Sequence, residues 1–421
     1  MTKKDTEVII IGAGLSGLAC GKRLAEAGHP FLILEADNRI GGRIKTDEVD
    51  GFQLDHGFQV LQTSYPEVRK QLDLKRLNLH YFAPGAIFRI NGRFHRIADP
   101  FRLPRHIPST LTAPIGSFRD RLRIIQLAIK LGNTSVSDIF TASDQPTSEF
   151  LKEEGFSETM INRFFRPFYA TASLDPDIKS SSRVFKYLFR IFTAGQAALP
   201  ANGMAEIPKQ LSETIPSKQI RLNSRVESLI DGGVKLQSGE EIHAPQVVIA
   251  TEGPQAERLL KSTESTGSVG EYCFYFATEN APLNDSFLVL NGEDQGLISS
   301  LTIPTNIAAQ YAPDGMSLVS VVVLRSSKED EQTLKQAVIS ELTDWFGSEV
   351  ANWHHLPTYY IPHALPRQVP PLADPTVSRL PPGKGIYLCG EHGSVPGNQW
   401  ALLSGIQVAN QVMTAAGLIQ N

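Results

Sequence analysis

The chain has 421 residues, of which 41% are hydrophobic, and its formal net charge at pH 7 is −4. A chain of this length can bury large cores and is expected to form two domains. The slightly negative charge gives no electrostatic reason to expect nucleic acid as a partner.

The opening residues are polar and no apolar run is long enough to cross a bilayer, so we predict neither a signal peptide nor a transmembrane helix. Three scattered cysteines, Cys20, Cys273 and Cys389, fit neither a disulfide framework nor a zinc site. A reducing compartment suits such a chain, and we therefore expect a cytoplasmic protein without a metal site.

Residues 7–46 predict one βαβ unit. The β-branched run 8–11 is typical of a buried parallel strand, 15–27 of a helix that ends before Gly28, and 31–34 of a second strand. This order is the context in which a glycine motif binds a dinucleotide.

Gly12, Gly14 and Gly17 form G-x-G-x-x-G where the first strand ends. The first glycine permits a tight turn, the second lets backbone N–H groups approach a pyrophosphate, and the third lets the helix pack closely on the strand. The phosphates would lie at the positive helix N-terminus. Glu35, after the second strand, is placed to accept hydrogen bonds from the adenosine ribose and to repel the 2′-phosphate of NADP. The predicted nucleotide site also includes Leu15, Ser16 and Ala36.

A second glycine loop follows, in which Arg39, Gly41, Gly42, Arg43 and Thr46 spell R-x-G-G-R-x-x-T. Here the sequence resembles the FAD-binding flavoproteins that include monoamine oxidases, protoporphyrinogen oxidases and phytoene desaturases. The resemblance implies that this loop wraps the FAD pyrophosphate and that Arg43 faces it. A guanidinium is a permanent, forked partner for phosphate oxygens, which suits that role.

The segment after the second loop leads to the flavin ring in this family, so the resemblance implies that Gly57, Phe58 and Gln59 contact the cofactor. His56 is a candidate acid or base because its unperturbed pKa lies near neutrality. We favour a structural histidine in a tight turn, since most histidines outside a proven catalytic constellation are structural.

The helix predicted near residues 118–130 is basic and amphipathic, because Phe118, Leu122, Ile125 and Ile129 recur at helical spacing between arginines and lysines. Relatives with lipid-soluble substrates place a helix of this region on the membrane surface. We favour a helix packed on its own domain with its charges in water, and keep peripheral membrane contact as the alternative.

Aromatic segments supply weak candidates for the substrate cavity. In relatives the turn matching residues 164–169 faces the cavity, which makes Phe168 and Tyr169 candidates. Residues 359–367 resemble the family's active-site strand loosely, which adds Tyr360 and His363. No catalytic residue is identified by these patterns.

Later segments complete the cofactor site by resemblance. Backbone at Val226 would contact the adenine, and the strand ending at Thr251 would return beside the pyrophosphate. Gly390-Glu391 match a glycine–acid pair that holds the ribityl hydroxyls, and the following helix, with Trp400 and Ala401 at its N-terminus, would face flavin N1 and O2. A helix N-terminus stabilises the negative charge of reduced flavin.

The sequence departs from the amine oxidases of this family at two places. Those enzymes hold a lysine near flavin N5, where this chain offers Glu271, and an aromatic residue before the last helix, where it has Gly397 and Asn398. The amine-binding cage is therefore incomplete.

The resemblance implies an α/β fold, with a Rossmann-like FAD-binding domain formed by residues 1–64, 199–255 and 368–421. A discontinuous α+β substrate domain would comprise residues 65–198 and 256–367. The FAD should be non-covalent, because Cys389 precedes Gly390 and does not match the cysteine of covalently flavinylated relatives.

Three functions from different classes stay open. The first is removal of two electrons from a C–C bond of a small, largely apolar substrate, with oxygen or a quinone as the unidentified electron acceptor. The second is oxidation of a C–N bond. The third is a flavoprotein without net redox turnover, such as an isomerase. We rank them in that order, since fold-level analogy does not decide function.

Overall fold

The computed structural model describes residues 5–262, 265, 267–293, 295–325, 327–377, 382–391 and 395–419. The strands are β1 (Val8–Ile11), β2 (Phe31–Leu34), β3 (Thr46–Val49), β4 (Phe52–Asp55), β5 (Leu61–Gln62), β6 (Leu79–Tyr81), β7 (Gly85–Ile90), β8 (Arg93–Ala98), β9 (Ala197–Pro200), β10 (Ile220–Arg221), β11 (Val226–Ile230), β12 (Gly233–Leu236), β13 (Glu241–His243), β14 (Gln246–Ile249), β15 (Ser268–Thr278), β16 (Leu288–Asn291), β17 (Ile298–Thr302), β18 (Ser317–Leu324), β19 (His354–Pro366) and β20 (Ile386–Leu388).

The helices are α1 (Leu15–Glu26), α2 (Pro66–Gln71), α3 (Ile107–Thr112), α4 (Phe118–Gly132), α5 (Val136–Thr141), α6 (Thr147–Glu153), α7 (Glu158–Met160), α8 (Arg166–Ser173), α9 (Ser182–Ala194), α10 (Glu206–Ser212), α11 (Gly253–Leu260), α12 (Glu331–Phe346) and α13 (Asn398–Ala415). A π-helical turn, Ile161–Phe165, joins α7 to α8. In the part of the chain that the structure describes, no helix is long and apolar enough to cross a membrane.

A five-stranded parallel sheet with strand order β10-β2-β1-β14-β20 forms one half of the mixed α/β fold. The βαβ unit predicted from residues 7–46 is confirmed, since β1 and β2 pair in parallel and α1 connects them. Val8, Ile9 and Ile10 are fully buried. An uninterrupted β-branched run is stable here because elements cover both faces of the sheet.

Helix α13 packs across α1 on one face of this sheet. A Cβ added to Gly405 of α13 would lie 2.2 Å from the carbonyl oxygen of Ser16, so only glycine permits this crossing. The neighbouring Ser404 hydroxyl accepts a hydrogen bond from the Gly390 N–H at 2.9 Å. The Ser404-Gly405 pair therefore fixes the last helix against both the first helix and the turn after β20.

The second large sheet is mixed and has seven strands, in the order β19-β15-β18-β17-β16-β7-β8. One face packs on α12 through Leu334, Val338 and Leu342. The opposite face packs toward the helices formed by residues 107–194 and toward the parallel sheet, through residues such as Phe88 and Tyr275. The space between the two sheets and these helices holds the candidate site.

The first prediction concerns Gly405. A Gly405→Ala substitution should lower the melting temperature, because the methyl group must displace the α1 backbone, at a cost of about 1 to 3 kcal/mol. Gly132→Ala is the matched control, since its Cβ meets nothing within 4 Å and alanine favours helix by up to about 1 kcal/mol. A Gly405→Ala protein that melts at or above the parent temperature would contradict this packing.

Candidate active site

One cavity of about 1670 Å³ runs from the two glycine loops to helices α4 and α8. Ligand pockets are typically about 300 to 1,000 Å³, so this space accommodates more than one small molecule. One end is lined by glycine backbone and charged groups, and the other mostly by aromatic and aliphatic side chains.

The glycine loops form the floor of the polar end. Gly41 donates its N–H to the Ala13 carbonyl at 2.9 Å, and a Cβ on Gly42 would lie 3.2 Å from Gly14 Cα. Gly12 has φ +105°, and its Cβ would lie 2.9 Å from the Ala250 carbonyl oxygen. The absence of side chains brings two loops into direct backbone contact beside the cavity.

Helix α1 begins at Leu15 with glycine as its N-cap residue and no acidic residue in its first turn. Its first N–H groups therefore lack a side-chain partner, and Leu15 and Ser16 line the cavity there. This donor set fits a pyrophosphate. Gly17 does not line the cavity and instead packs on the loop, because its Cβ would lie 2.0 Å from the Gly12 carbonyl oxygen.

Glu35 and Ala36 line the same end of the cavity. The Glu35 carboxylate accepts hydrogen bonds from the backbone N–H groups of Ala13 at 2.7 Å and Asp37 at 2.9 Å. This glutamate therefore holds the glycine loop in place, a role that the motif did not indicate. Its predicted bond to a ribose stays a prediction.

Arg43 lines the cavity but donates to protein groups. Its guanidinium bonds to the Ala364 carbonyl oxygen at 2.6 Å, to the His363 carbonyl oxygen at 3.4 Å, and to the Glu391 carboxylate. Glu391 also accepts the Gly397 N–H at 2.6 Å. Arg43 thus braces β19, Glu391 and the start of α13, and its contact with a pyrophosphate stays a prediction.

Trp400 and Ala401, both predicted to lie at the cofactor site, take different positions at the start of the last helix. Ala401 lines the cavity, but Trp400 is only 4% exposed and packs against Tyr187 and Phe140, with ring centroids 4.9 and 5.3 Å away. The N–H groups of Trp400 and Ala401 bond to the Gly397 carbonyl oxygen. The Trp400 side chain therefore does not line the cavity, and contact of either residue with the cofactor stays a prediction.

The loop after β4 carries the predicted flavin contacts. Phe58 and Gln59 line the cavity, and the Gln59 side chain donates to the carbonyls of Arg43 and His56 at 2.8 and 2.9 Å. Gly57 lines a smaller adjoining pocket and has φ +89°. Gln59 thus ties this loop to the second glycine loop.

His56 lies in a network of charged and aromatic groups at the edge of the cavity. Its Nε2 is 2.8 Å from Asp47 Oδ2, and its ring lies 4.2 Å from that of Tyr359, whose hydroxyl also donates to Asp47. Burial lowers the pKa of His56. Hydrogen bonds from His56, Tyr359 and Arg39 hold the pKa of Asp47 at about 2, despite its partial burial. These contacts support the structural role that we favoured for His56.

Glu271 lies in the cavity wall on β15, with only 5% of its surface exposed. A Cβ on Gly57 would come within 2.4 Å of its Oε1, so the carboxyl group lies against the backbone of the loop that carries Gly57 and Phe58. Burial raises the pKa of Glu271 to about 8. The sequence marked this position only as a departure from a family pattern.

The other cavity candidates divide into two groups. Phe168, Tyr360 and His363 line the cavity, and His363 Nδ1 lies 2.6 Å from the Ser268 hydroxyl. Tyr169 is 1% exposed and packs in the core, with its ring 5.3 Å from Phe185. The expectation that Tyr169 lines the cavity is wrong, because successive residues on α8 face different sides of the helix.

Helix α4 packs on its own domain, as we favoured, through Leu127 and Leu131, but the apolar stripe read from the sequence does not make that contact. Phe118 is 65% exposed and Ile129 is 60% exposed, while Asp120, Leu127 and Leu131 are buried. The apolar stripe is therefore not packed on the protein. It lies at the mouth of the cavity, whose lining includes Phe118, Leu122, Ile125 and Ile129.

The remaining predicted cofactor residues lie where the cavity borders the parallel sheet. Val226 and Thr251 line it at the ends of β11 and β14, and Gly390 and Glu391 line it after β20. Segments that are distant in sequence are thus brought to one cavity.

Residues 15–413 match the family model described as flavin containing amine oxidoreductase. The chain belongs to this family. Its members are flavin-dependent oxidoreductases, and FAD is accordingly the cofactor of this chain. The glycine floor, the uncapped start of α1 and the size of the cavity fit that cofactor.

The relatives that the chain resembles include oxidases and a desaturase. The chain is 27% identical over 187 residues to protoporphyrinogen oxidase 2 of Arabidopsis thaliana. This match covers 44% of this chain and 36% of the relative. It is 26% identical over 280 residues to 15-cis-phytoene desaturase of Capsicum annuum, and this match covers 59% of this chain and 47% of the relative. It is 43% identical over 83 residues to L-amino-acid oxidase of Mus musculus, and this match covers 19% of this chain and 13% of the relative. The matches thus span less than half the length of these relatives.

The fold is similar over nearly the whole chain to a solved structure of a putative protoporphyrinogen oxidase from Exiguobacterium. The TM-score is 0.73 at 18% sequence identity, and the similarity covers 98% of this chain and 99% of the other. At this identity the comparison establishes the fold alone.

The second prediction concerns cofactor retention. Arg43→Ala should purify with much less FAD, because it removes the charged partner of the buried Glu391 carboxylate and the donor to the β19 carbonyls. Hydrogen bonds to charged groups are worth about 1.5 to 3 kcal/mol, or roughly ten- to hundredfold in affinity. The measurement is the ratio of flavin absorbance to protein after gel filtration.

The matched control is Arg76→Ala, which removes an exposed arginine paired with Glu213. This variant should keep the parental flavin content. Full occupancy in Arg43→Ala would show that the loop holds the cofactor through its backbone alone.

Proposed function

We propose that this chain uses FAD to remove two electrons from a C–C bond of a largely apolar substrate, in the manner of a desaturase or a protoporphyrinogen oxidase. The observation that carries the proposal is the apolar half of the cavity. Its wall includes the rings of Phe82, Phe88, Phe164, Phe168 and Phe192. Burial of apolar surface against these rings contributes roughly 25 cal/mol per Å², so a polyene or a tetrapyrrole-like ring system would bind without a charged anchor.

The arginines around this half are engaged by the protein. Arg102 donates to the Gly195 carbonyl oxygen at 2.7 Å, Arg121 to the Ala113 carbonyl oxygen at 2.6 Å, and Arg190 to the carbonyl oxygens of Leu131 and Thr134. A guanidinium saturated by backbone acceptors is a poor anchor for a substrate carboxylate. This arrangement favours an apolar substrate over an amino acid.

We also infer how the cofactor is held. The parallel sheet, the glycine turn and α1 support a Rossmann-like FAD-binding domain made of residues 1–64, 199–255 and 368–421. The seven-stranded sheet and the helices of residues 104–194 support a substrate domain made of residues 65–198 and 256–367. The FAD is non-covalent in this proposal, because the Cys389 thiol is fully buried after β20 and does not line the cavity.

Oxidation of a C–N bond is the second candidate, and one observation favours it. The Glu271 carboxyl group lies in the cavity wall, where a carboxylate would attract the ammonium group of an amine. Burial opposes this reading, because the raised pKa of Glu271 keeps most of the group neutral at pH 7. We therefore rank C–N oxidation second.

Exposed apolar side chains at the mouth of the cavity, which we take as the substrate entrance, support peripheral membrane contact. Phe101, Leu111, Phe118 and Ile129 are 82%, 52%, 65% and 60% exposed and all border the cavity. Basic residues accompany them at 105, 119 and 123, while those at 102 and 130 pair with Asp99 and Glu154. Exposed apolar side chains beside basic ones are typical of a surface that rests on anionic lipid. An apolar substrate would then pass from the bilayer into the cavity without crossing water.

The third prediction tests the reaction. The oxidised holoenzyme is mixed anaerobically with a panel of primary and secondary amines and, separately, with polyenes and porphyrinogens, while the flavin absorbance is followed. We expect bleaching with a member of the apolar panel and product lighter by two hydrogens in mass spectrometry. Rapid bleaching by amines alone would put C–N oxidation first, and an isomerised product without bleaching would indicate a redox-neutral reaction.

The fourth prediction tests the entrance. The protein should cosediment with vesicles that contain anionic lipid, and Phe118→Ser with Ile129→Ser should weaken this binding at least tenfold, since both side chains would leave the apolar phase. The control is Val377→Ser, which changes an apolar residue that is 64% exposed and does not border the cavity. Equal vesicle binding by the parent protein, the Phe118→Ser/Ile129→Ser double variant and Val377→Ser would contradict the membrane proposal.

A further inference from the structure

Glu271 is a buried ionisable group to which the proposed cofactor contacts assign no role. Its carboxyl group lies against the loop that carries Gly57 and Phe58, and it forms part of the cavity wall. A buried carboxyl group without a counter-charge destabilises a fold, so its position at the cavity requires a physical explanation.

Regular alternation along β15 turns Glu271 toward the cavity, on the side that Cys273 and Tyr275 also face. The pairing of β15 with β19 shifts register between Val269 and Glu271. At this point Gly270 is enclosed by backbone, since its Cβ would lie about 2.9 to 3.1 Å from the carbonyl oxygens of Ile361, Arg325 and Pro362. The extra residues at this shift lie on β19, where 362–364 oppose Gly270 alone, and His363 among them contacts Ser268 at the cavity.

The titratable groups on the elements around Glu271 are engaged elsewhere or are uncharged at neutral pH. His56 on the loop contacts Asp47, Arg325 after β18 pairs with Glu329 at 3.1 Å, and His363 on β19 contacts Ser268. The other titratable residues of these strands are Tyr272, Cys273 and Tyr275 on β15 and His354, His355, Tyr359 and Tyr360 on β19. Among the described residues, no lysine, arginine or histidine forms an ion pair with Glu271.

We propose that Glu271 accepts the proton that the substrate loses during C–C oxidation. The inference rests on the proposed function. When bound, FAD supplies the acceptor for the hydride. The adjacent C–H bond breaks, its electron pair forms the new C=C bond, and its proton forms an O–H bond on the Glu271 carboxylate. Release of that proton to water restores the carboxylate.

The pH dependence follows from the direction of the pKa shift. The carboxylate is the active form, and burial raises the pKa of Glu271 to about 8. Turnover of the apolar substrate should therefore rise as pH increases through about 8 and level off above it. A base within reach of the reacting carbon contributes roughly 10² to 10⁴ in rate, so Glu271→Gln should lose at least about a hundredfold in kcat at pH 9.

The fifth prediction has a readout that does not depend on turnover. In the flavin-loaded wild-type protein, the infrared carbonyl band of a protonated carboxyl group should disappear between pH 6 and pH 10, with a midpoint near 8. The flavin absorbance should shift over the same range. Both changes should be absent in Glu271→Gln, and Glu271→Asp should retain a titrating band with reduced kcat.

Glu341→Gln is the matched control. Glu341 is half-buried, accepts hydrogen bonds from the Leu297 and Ile298 N–H groups, and has a raised pKa, but it lies on α12 and does not line the cavity. Its loss should leave kcat and the flavin titration unchanged.

Two results would overturn the inference while the proposed function stands. One is wild-type holoenzyme without a titrating carboxyl band in this range, which is decisive even if the Gln variant fails to fold. The other is oxidation of the apolar substrate by Glu271→Gln at the wild-type rate at every pH. Reactivity with amines alone would overturn the proposed function and this inference together.

Discussion

Direct backbone contact at glycine is the constraint on which the rest of the structure depends. Gly17 lets α1 pack on its own loop, Gly42 lets the second loop touch the first, and Gly405 lets α13 cross α1. A methyl group at any of these points would meet backbone atoms, which cannot move aside as a flexible side chain can. The floor of the cavity and the helix that closes it are therefore set by the same kind of contact.

Polar groups then connect the segments that these contacts bring together. Arg43 links the second loop to β19 and to Glu391, which in turn holds the Gly397 N–H at the start of α13. Glu35 holds the first glycine loop from the end of β2. Because each buried charge has a partner, the polar end of the cavity is stable and preorganised for a charged cofactor.

The opposite end of the cavity is apolar. Its walls are aromatic, its arginines are saturated by carbonyl oxygens, and its mouth lies beside the exposed stripe of α4. Glu271 stands between the two ends without an ion-pair partner in the described part of the chain. One end of the cavity therefore holds charges that pair with each other, and the other end is apolar with the Glu271 carboxyl group near its walls.

The sequence by itself determined the βαβ unit, the glycine loops and the family, because these depend on short-range patterns of β-branched residues, turns and helical periodicity. The family resemblance also named Phe58, Gln59 and Ala401, which line the cavity, and their contact with the cofactor stays a prediction. Only the tertiary structure decided the partners of Arg43 and Glu35, the burial of Tyr169 and Trp400, and the exposure of the α4 stripe. Periodicity shows which face of a helix is apolar but not what covers that face, and the bulge at residues 362–364 of β19 interrupts the alternation of a strand without a sequence pattern that predicts it.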